Sequence, residues 1–301
     1  MLVSQTDYLI AERLKLKKKV GRKSAIEPID ENELNLFYNS INIAIGKQGN
    51  GKTLLMLREI INICFLEEEF KNSPNPLGFH LIFYVNQSGE INDETFKMLQ
   101  DLISIPIVVI NYNQSEEVIT GLLDFKQEYY KLIDQPDLLG QWDNDKIDAV
   151  SEALALKITN GNGLLNKNLP KTLHTIIYFE DAANQSVFKL NDSYFNKLAF
   201  QCRHNNTIFL FCVQKMAAIS KPILSQVTNV FIYPGYSPQE LSYIHRMSAI
   251  QGMDYKELKA VYTSLKQYQL LSANMVTQVF AIIDLSHISK MVNAKNGKIK
   301  F

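Results

Sequence analysis

Eight consecutive residues, Gly46, Lys47, Gln48, Gly49, Asn50, Gly51, Lys52 and Thr53, set a Gly, four free positions and then Gly-Lys-Thr in the spacing that wraps a phosphate. The chemistry dictates the residue types. Glycines let successive backbone N–H groups turn inward as an anion nest and keep Cβ atoms out of the path of phosphate oxygens. Lys52 supplies a point charge for terminal phosphates, and the Thr53 hydroxyl is a ligand for a magnesium ion. A helix starting here adds the partial positive charge of its N-terminus.

A second set lies far along the chain. Residues 173–181 read Leu-His-Thr-Ile-Ile-Tyr-Phe-Glu-Asp, an apolar, β-rich run that ends in two carboxylates. A buried parallel strand delivers acids of this kind at its carboxyl end, where ligands bind in open α/β sheets. By spacing, Glu180 holds the magnesium ion, usually through water, and Asp181 polarises the attacking water. Glu before Asp reverses the commoner order, which leaves the two roles interchangeable. A third polar group, Gln214, closes another apolar run at 207–213, where an amide senses a γ-phosphate or orients water.

These residues need a frame that brings them to one edge. Residues 40–45 alternate as a short buried strand, and 54–65 continue as an apolar helix without Gly or Pro. Prolines at 74 and 76 break the chain before a strand at 79–85, a helix at 93–104, a strand at 105–110 and a helix at 115–133. The order β, α, β, α, β predicts an α/β fold with a mostly parallel central sheet flanked by helices. The stretch 134–170 is poorly periodic, holds Trp142, and reads as an insertion or lid-like loop with a short helix. A helix at 194–202, strands at 207–213 and 227–233, helices at 238–250 and 255–266, and a last strand at 278–285 complete the reading. The chain thus divides into a leader at 1–39, a core at 40–235 and a C-terminal extension at 236–301.

Composition bounds the partners. With 301 residues and 46% hydrophobic content the chain can bury a full core. Lys plus Arg and Asp plus Glu balance at 31 each, so any affinity for nucleic acid must come from how charge is distributed. Arg13, Lys15, Lys17, Lys18, Lys19, Arg22 and Lys23 crowd the leader; Lys290, Lys295, Lys298 and Lys300 make a second basic tail. Cys64, Cys202 and Cys212 have no metal-ligand spacing, and two of them sit in apolar surroundings typical of buried free thiols, which fits a reducing compartment. His204 and His245 likewise lack partners at ligand spacing. No apolar run is long enough to span a membrane, and no signal-peptide core follows the basic stretch.

The phosphate loop, the paired acids Glu180 and Asp181, the Arg203-His204 pair before a strand and the strand-terminal Gln214 together resemble the viral genome-packaging ATPases. This is the poxvirus, large-DNA-virus and virophage type within the FtsK/HerA superfamily, and the segment order matches over residues 40–233. The resemblance implies a RecA-like P-loop core, ATP and Mg2+ as cofactors, a homo-oligomeric ring of five or six subunits, and translocation of double-stranded DNA into a capsid. It also implies contacts with capsid or portal-vertex proteins, and a location in the host cytoplasm at the viral factory or in the virion. A ring motor commonly adds a cation from the neighbouring subunit to the γ-phosphate; Arg203 is the first candidate for that finger and Arg246 the reserve.

Two other readings stay open. A HerA-like or Zot-like translocase shares such a phosphate loop, although the first is expected to carry an N-terminal barrel and the second a membrane anchor. A nucleotide-gated scaffold without productive turnover has less need of Asp181.

Overall fold

The computed structural model describes residues 27–28, 40–56, 58–60, 78–91, 93, 96–97, 100, 105–153, 157–167, 169–170, 173–182, 188, 193–202, 204–248, 250, 253–276 and 278–286. The basic residues of the leader and tail, Cys64 and Arg203 lie outside them. Among the described residues the frame is a nine-stranded sheet: β1 (Glu27–Pro28), β2 (Ile41–Ile45), β3 (Gly78–Asn86), β4 (Ile107–Asn111), β5 (Leu173–Phe179), β6 (Thr207–Val213), β7 (Asn229–Ile232), β8 (Gln269–Asn274) and β9 (Val279–Asp284). Their spatial order is β1-β9-β8-β7-β2-β6-β5-β3-β4. Only β8 runs against the others. This is the mostly parallel α/β architecture that the element order predicts.

The central strands are apolar throughout because both faces are covered. Along β5, Leu173, Ile177 and Phe179 face one layer while Ile176 and Tyr178 face the other, the two-residue period of a strand. The first layer is formed by helices α1 (Tyr112–Asp134), α3 (Tyr194–Gln201), α5 (Pro238–Met247) and α6 (Tyr255–Ser264), whose Ile119, Leu122, Leu198, Leu241 and Leu258 are buried. Between them in the chain come α2 (Asn144–Ala153) and the short α4 (Lys221–Leu224). On the second face lies the helix that follows the phosphate loop, through Leu55, Met56 and Ile60. Asp254 and Ser237 cap α6 and α5 in full capping boxes with Glu257 and Glu240.

Strand β8 is concealed in the sequence, as are the two-residue β1 and the one-turn α4. The β8 run Gln-Leu-Leu-Ser-Ala-Asn has two adjacent large apolar residues and ends polar, and no Asn-Gly or Gly-rich turn announces its hairpin with β9. Gln278 takes the left-handed conformation instead, at φ 54°, and its N–H donates to the Asn274 carbonyl at 2.9 Å. The polar end is explained by a buried amide ladder. Asn42, Asn229 and Asn274 sit side by side on β2, β7 and β8. Asn274 donates to Asn229 at 2.8 Å, Asn229 to Asn42 at 2.7 Å, and Asn42 to the Ser40 hydroxyl at 3.0 Å. The ladder fixes the register of the reversed strand on the parallel sheet.

Asn229→Ala would strand an amide on each side in the core. Each unsatisfied buried group costs about 1–3 kcal/mol, so the variant is expected to lose about 2–4 kcal/mol of stability. Urea unfolding measures it, and a loss under about 1 kcal/mol would mean the ladder does not hold the register.

Strand direction also places the connections. α1 starts at the carboxyl end of β4, runs back and ends at the amino edge of the sheet, so residues 135–170 lead to β5 at that edge. The expected short helix is there as α2. Leu138, Leu139, Trp142 and Ile147 pack against the core, and Lys146 pairs with Glu128 of α1 at 2.9 Å. The described residues of the stretch are therefore docked at the edge opposite the phosphate loop. The same edge holds a fully buried lysine. Lys126 of α1 donates to the Thr175 hydroxyl at 3.1 Å, the Asn206 carbonyl at 3.3 Å and the Asn205 carbonyl, joining α1 to the turn before β6.

Candidate active site

At the carboxyl edge, β2 runs straight into the phosphate loop. The Gly46 N–H donates to the Val213 carbonyl at 3.0 Å, which ties the loop to the end of β6. Gly49 and Gly51 take φ of 78° and 85°, values that favour glycine, so the loop amides can turn inward as the motif requires. Nothing lies within 4 Å of a Cβ built on Gly49, whereas one on Gly46 would meet the Tyr233 ring at 3.0 Å. Lys52 spans the loop and donates to the Gly46 carbonyl at 2.8 Å and the Lys47 carbonyl at 3.1 Å. An ammonium has three donors, which leaves one for a phosphate.

The segment after β7 buttresses the loop from outside. The Asn50 amide donates to the Pro234 carbonyl at 2.8 Å, and the Tyr233 hydroxyl to the Gly51 carbonyl at 2.9 Å. Lys47 stands 5.7 Å over the Tyr236 ring. Gln48 is exposed, and Thr53 is half-buried in the first turn of the helix.

Two strands away, Glu180 and Asp181 follow β5 at the same edge. The N–H of Glu180 donates to the Val85 carbonyl at 2.9 Å, extending the pairing with β3 by one residue. Its carboxylate accepts from the Tyr84 hydroxyl, and its carbonyl accepts from the Tyr112 hydroxyl at 2.6 Å. Asp181 turns the chain with φ 49°, a left-handed conformation that Asp and Asn tolerate better than most residues. Between the loop strand and the acid strand lies β6, and Gln214 at its end donates to the Asp181 carboxylate at 3.0 Å. The Gln214 carbonyl in turn accepts from the Tyr236 hydroxyl at 2.6 Å. The chain therefore brings the phosphate loop, Gln214, Asp181 and Glu180 to one edge in lateral sequence.

Electrostatics show the same convergence. The Cys212 thiol, buried beneath this edge, is pushed up to about 12 by burial; Lys52 pulls it down and the Glu180 and Asp181 carboxylates push it up. One point in the core thus feels the cation of the loop and both acids. Burial, with the Glu180 carboxylate beside it, raises Tyr84 well above the tyrosine range, so its hydroxyl keeps its proton.

The donor set fits a magnesium nucleotide: an amide and lysine cradle for phosphate, faced by hydroxyl and carboxylate oxygens that suit a hard cation. Among the described residues no group of three His, Cys, Asp or Glu gathers around a point. Magnesium needs none, since it keeps waters and takes further oxygens from phosphates.

No protein-family model and no curated protein sequence matches the chain. Solved structures do. The DNA-packaging ATPase B204 from Sulfolobus Turreted Icosahedral Virus is 14% identical, with a TM-score of 0.46 over 81% of this chain and 96% of that one. The pCW3 conjugation coupling protein TcpA, in its monomer form with ATPγS, is 13% identical at a TM-score of 0.48, covering 89% of this chain and 66% of that one. The cytoplasmic domain of the Thermomonospora curvata Type VII secretion ATPase EccC is 14% identical at 0.44, covering 85% and 26%. At such identities no residue role passes from them to this chain.

The remaining sequence candidates stand apart. Arg203 lies outside the described residues; its chain neighbours Cys202 and His204 are at the amino edge, the far side of the sheet from the phosphate loop. Arg246 is exposed near the end of α5. His245 bonds the Met253 carbonyl at 2.8 Å. Among the described residues no helix is long and apolar enough to cross a membrane.

Tyrosines are what the sequence reading overlooked. Tyr84 and Tyr233 sit in apolar runs and pass for core, Tyr112 lies between Asn111 and Asn113, and Tyr236 follows the Pro234-Gly235 turn. Each places its hydroxyl on the acids, the loop or Gln214. The available signal was position: all four fall within four residues of the carboxyl end of a strand.

Proposed function

We propose that this chain is an ATP-hydrolysing motor that moves double-stranded DNA into a viral capsid. The observation that carries the ATPase part is the lateral order at one sheet edge: phosphate loop, Gln214, Asp181, Glu180. The DNA and capsid parts rest on the resemblance of the motif set to packaging ATPases and on the basic leader and tail.

In this mechanism the loop amides and Lys52 bind the phosphates and stabilise charge on the γ-phosphate as it transfers. Thr53 and Glu180 would hold Mg2+, which would supply charge neutralisation at the phosphates when bound. Asp181 takes the proton of the attacking water, and Gln214 orients that carboxylate while its own amide faces the γ-phosphate. A cation is still needed opposite Lys52. Arg203 is the first candidate for that cation, supplied from an adjacent subunit of a homo-oligomeric ring, and Arg246 is the reserve.

The test is ATP hydrolysis by the purified oligomer with and without double-stranded DNA, with Lys52→Ala setting the background. DNA-stimulated turnover above that background is expected. No hydrolysis by the wild-type oligomer under any DNA condition overturns the motor and leaves a nucleotide-gated scaffold.

A further inference from the structure

Glu180 is one methylene longer than an aspartate, and that extra rotatable bond must be fixed if the carboxylate is to present one oxygen in a constant place. Its main chain is already held at both ends, by Val85 and by Tyr112. The side chain is held by Tyr84, whose hydroxyl donates to Oε2. Tyr84 has little freedom of its own. It is fully buried, pairs directly with Tyr178 across β3 and β5, and is packed against Phe96 and Tyr178 at centroid distances of 4.2 and 5.3 Å.

We propose that Tyr84 is a positioning residue that anchors one oxygen of Glu180 so that the other is aimed at the divalent ion, making a glutamate serve where a shorter acid would be self-aimed. The proposal rests on the reading of Glu180 as the residue that holds the ion. Tyr84 touches neither nucleotide nor reacting atoms in this scheme and acts only through Glu180. The anchoring bond is charge-assisted, among the stronger kinds of hydrogen bond, and the rigid aromatic packing behind it means that little of its strength goes into ordering the phenol.

The experiment is a double-mutant cycle on the full chain with Tyr84→Phe, Glu180→Asp and both together. Mn2+ is titrated into the ADP complex and followed by electron paramagnetic resonance. Tyr84→Phe, which keeps the ring and its packing, is expected to weaken Mn2+ binding about tenfold in the Glu180 background. In the Glu180→Asp background it should change nothing, because the shorter carboxylate no longer reaches the phenol. Equal losses in both backgrounds, or no loss in either, overturn the positioning role. Glu180→Ala separates the two levels: unchanged Mn2+ affinity there refutes the assignment of Glu180 itself, whereas a loss in Glu180→Ala with none in Tyr84→Phe refutes Tyr84 alone. Thermal melts and ADP affinity confirm that each variant is folded.

Discussion

Asp181→Asn is expected to lower ATP turnover by about 10²–10⁴-fold while leaving ATP affinity within a few-fold of wild type. The substitution removes the charge and little else. Asn tolerates the left-handed conformation that Asp181 adopts at φ 49°, so the turn after β5 keeps its shape. The Asn side-chain oxygen can still accept from Gln214, which now donates to Asp181 at 3.0 Å. What is lost is the basic oxygen that would take a proton from water. Steady-state hydrolysis alongside binding of a fluorescent ATP analogue gives the comparison. Turnover within tenfold of wild type would sink the assignment of Asp181 as base, and Glu180→Gln would then be the variant to examine, since the sequence left the two acids interchangeable.

The second large effect concerns stability and pH. Lys126 is fully buried and held by neutral oxygens alone, and burial pushes it down from the usual lysine range to about 7. A lysine near 10.5 in the unfolded chain therefore binds more protons than the folded one between pH 7 and 10.5. The Lys126 contribution to stability therefore rises with pH across that window, by up to about 1.4 kcal/mol per pH unit. Below pH 7 both states are charged and the contribution is flat at its least favourable value. Other groups act the opposite way. Cys212, pushed up to about 12 by burial, stabilises the folded state below pH 9 and withdraws that stability above it; buried tyrosines such as Tyr178 and Tyr233 do so above pH 10. The clean quantity is the difference between wild type and Lys126→Met, in which those terms cancel. That difference is expected to move by about 2–3 kcal/mol in favour of wild type between pH 7 and pH 9, read from urea unfolding. A flat difference would mean that Lys126 stays charged in the folded protein.

Both predictions concern groups whose environment was illegible in one dimension. Lys126 lies in an amphipathic helix where a lysine reads as solvent-facing, and its partners, Thr175 and the turn at Asn205 and Asn206, are all far away in the chain. Strand β8 was missed because its polar end looks exposed, although Asn274 completes an amide ladder with Asn42 and Asn229, residues far away in the chain. Residues 134–170 look like a lid for want of periodicity, yet strand direction puts their ends at the amino edge. In each case a non-local contact outweighs local propensity.

The loop at residues 46–53, the acids at 180 and 181 and the alternation of strands with helices are local patterns, and local patterns are enough to specify an anion nest and a buried strand that ends in charge. What only the folded chain decides is adjacency: that β6 stands between β2 and β5, so Gln214 reaches Asp181, and that Tyr84 on β3 reaches Glu180 from the other side. Strand order follows from how connections cross the sheet and how its two faces are buried together, and no window of sequence contains that information.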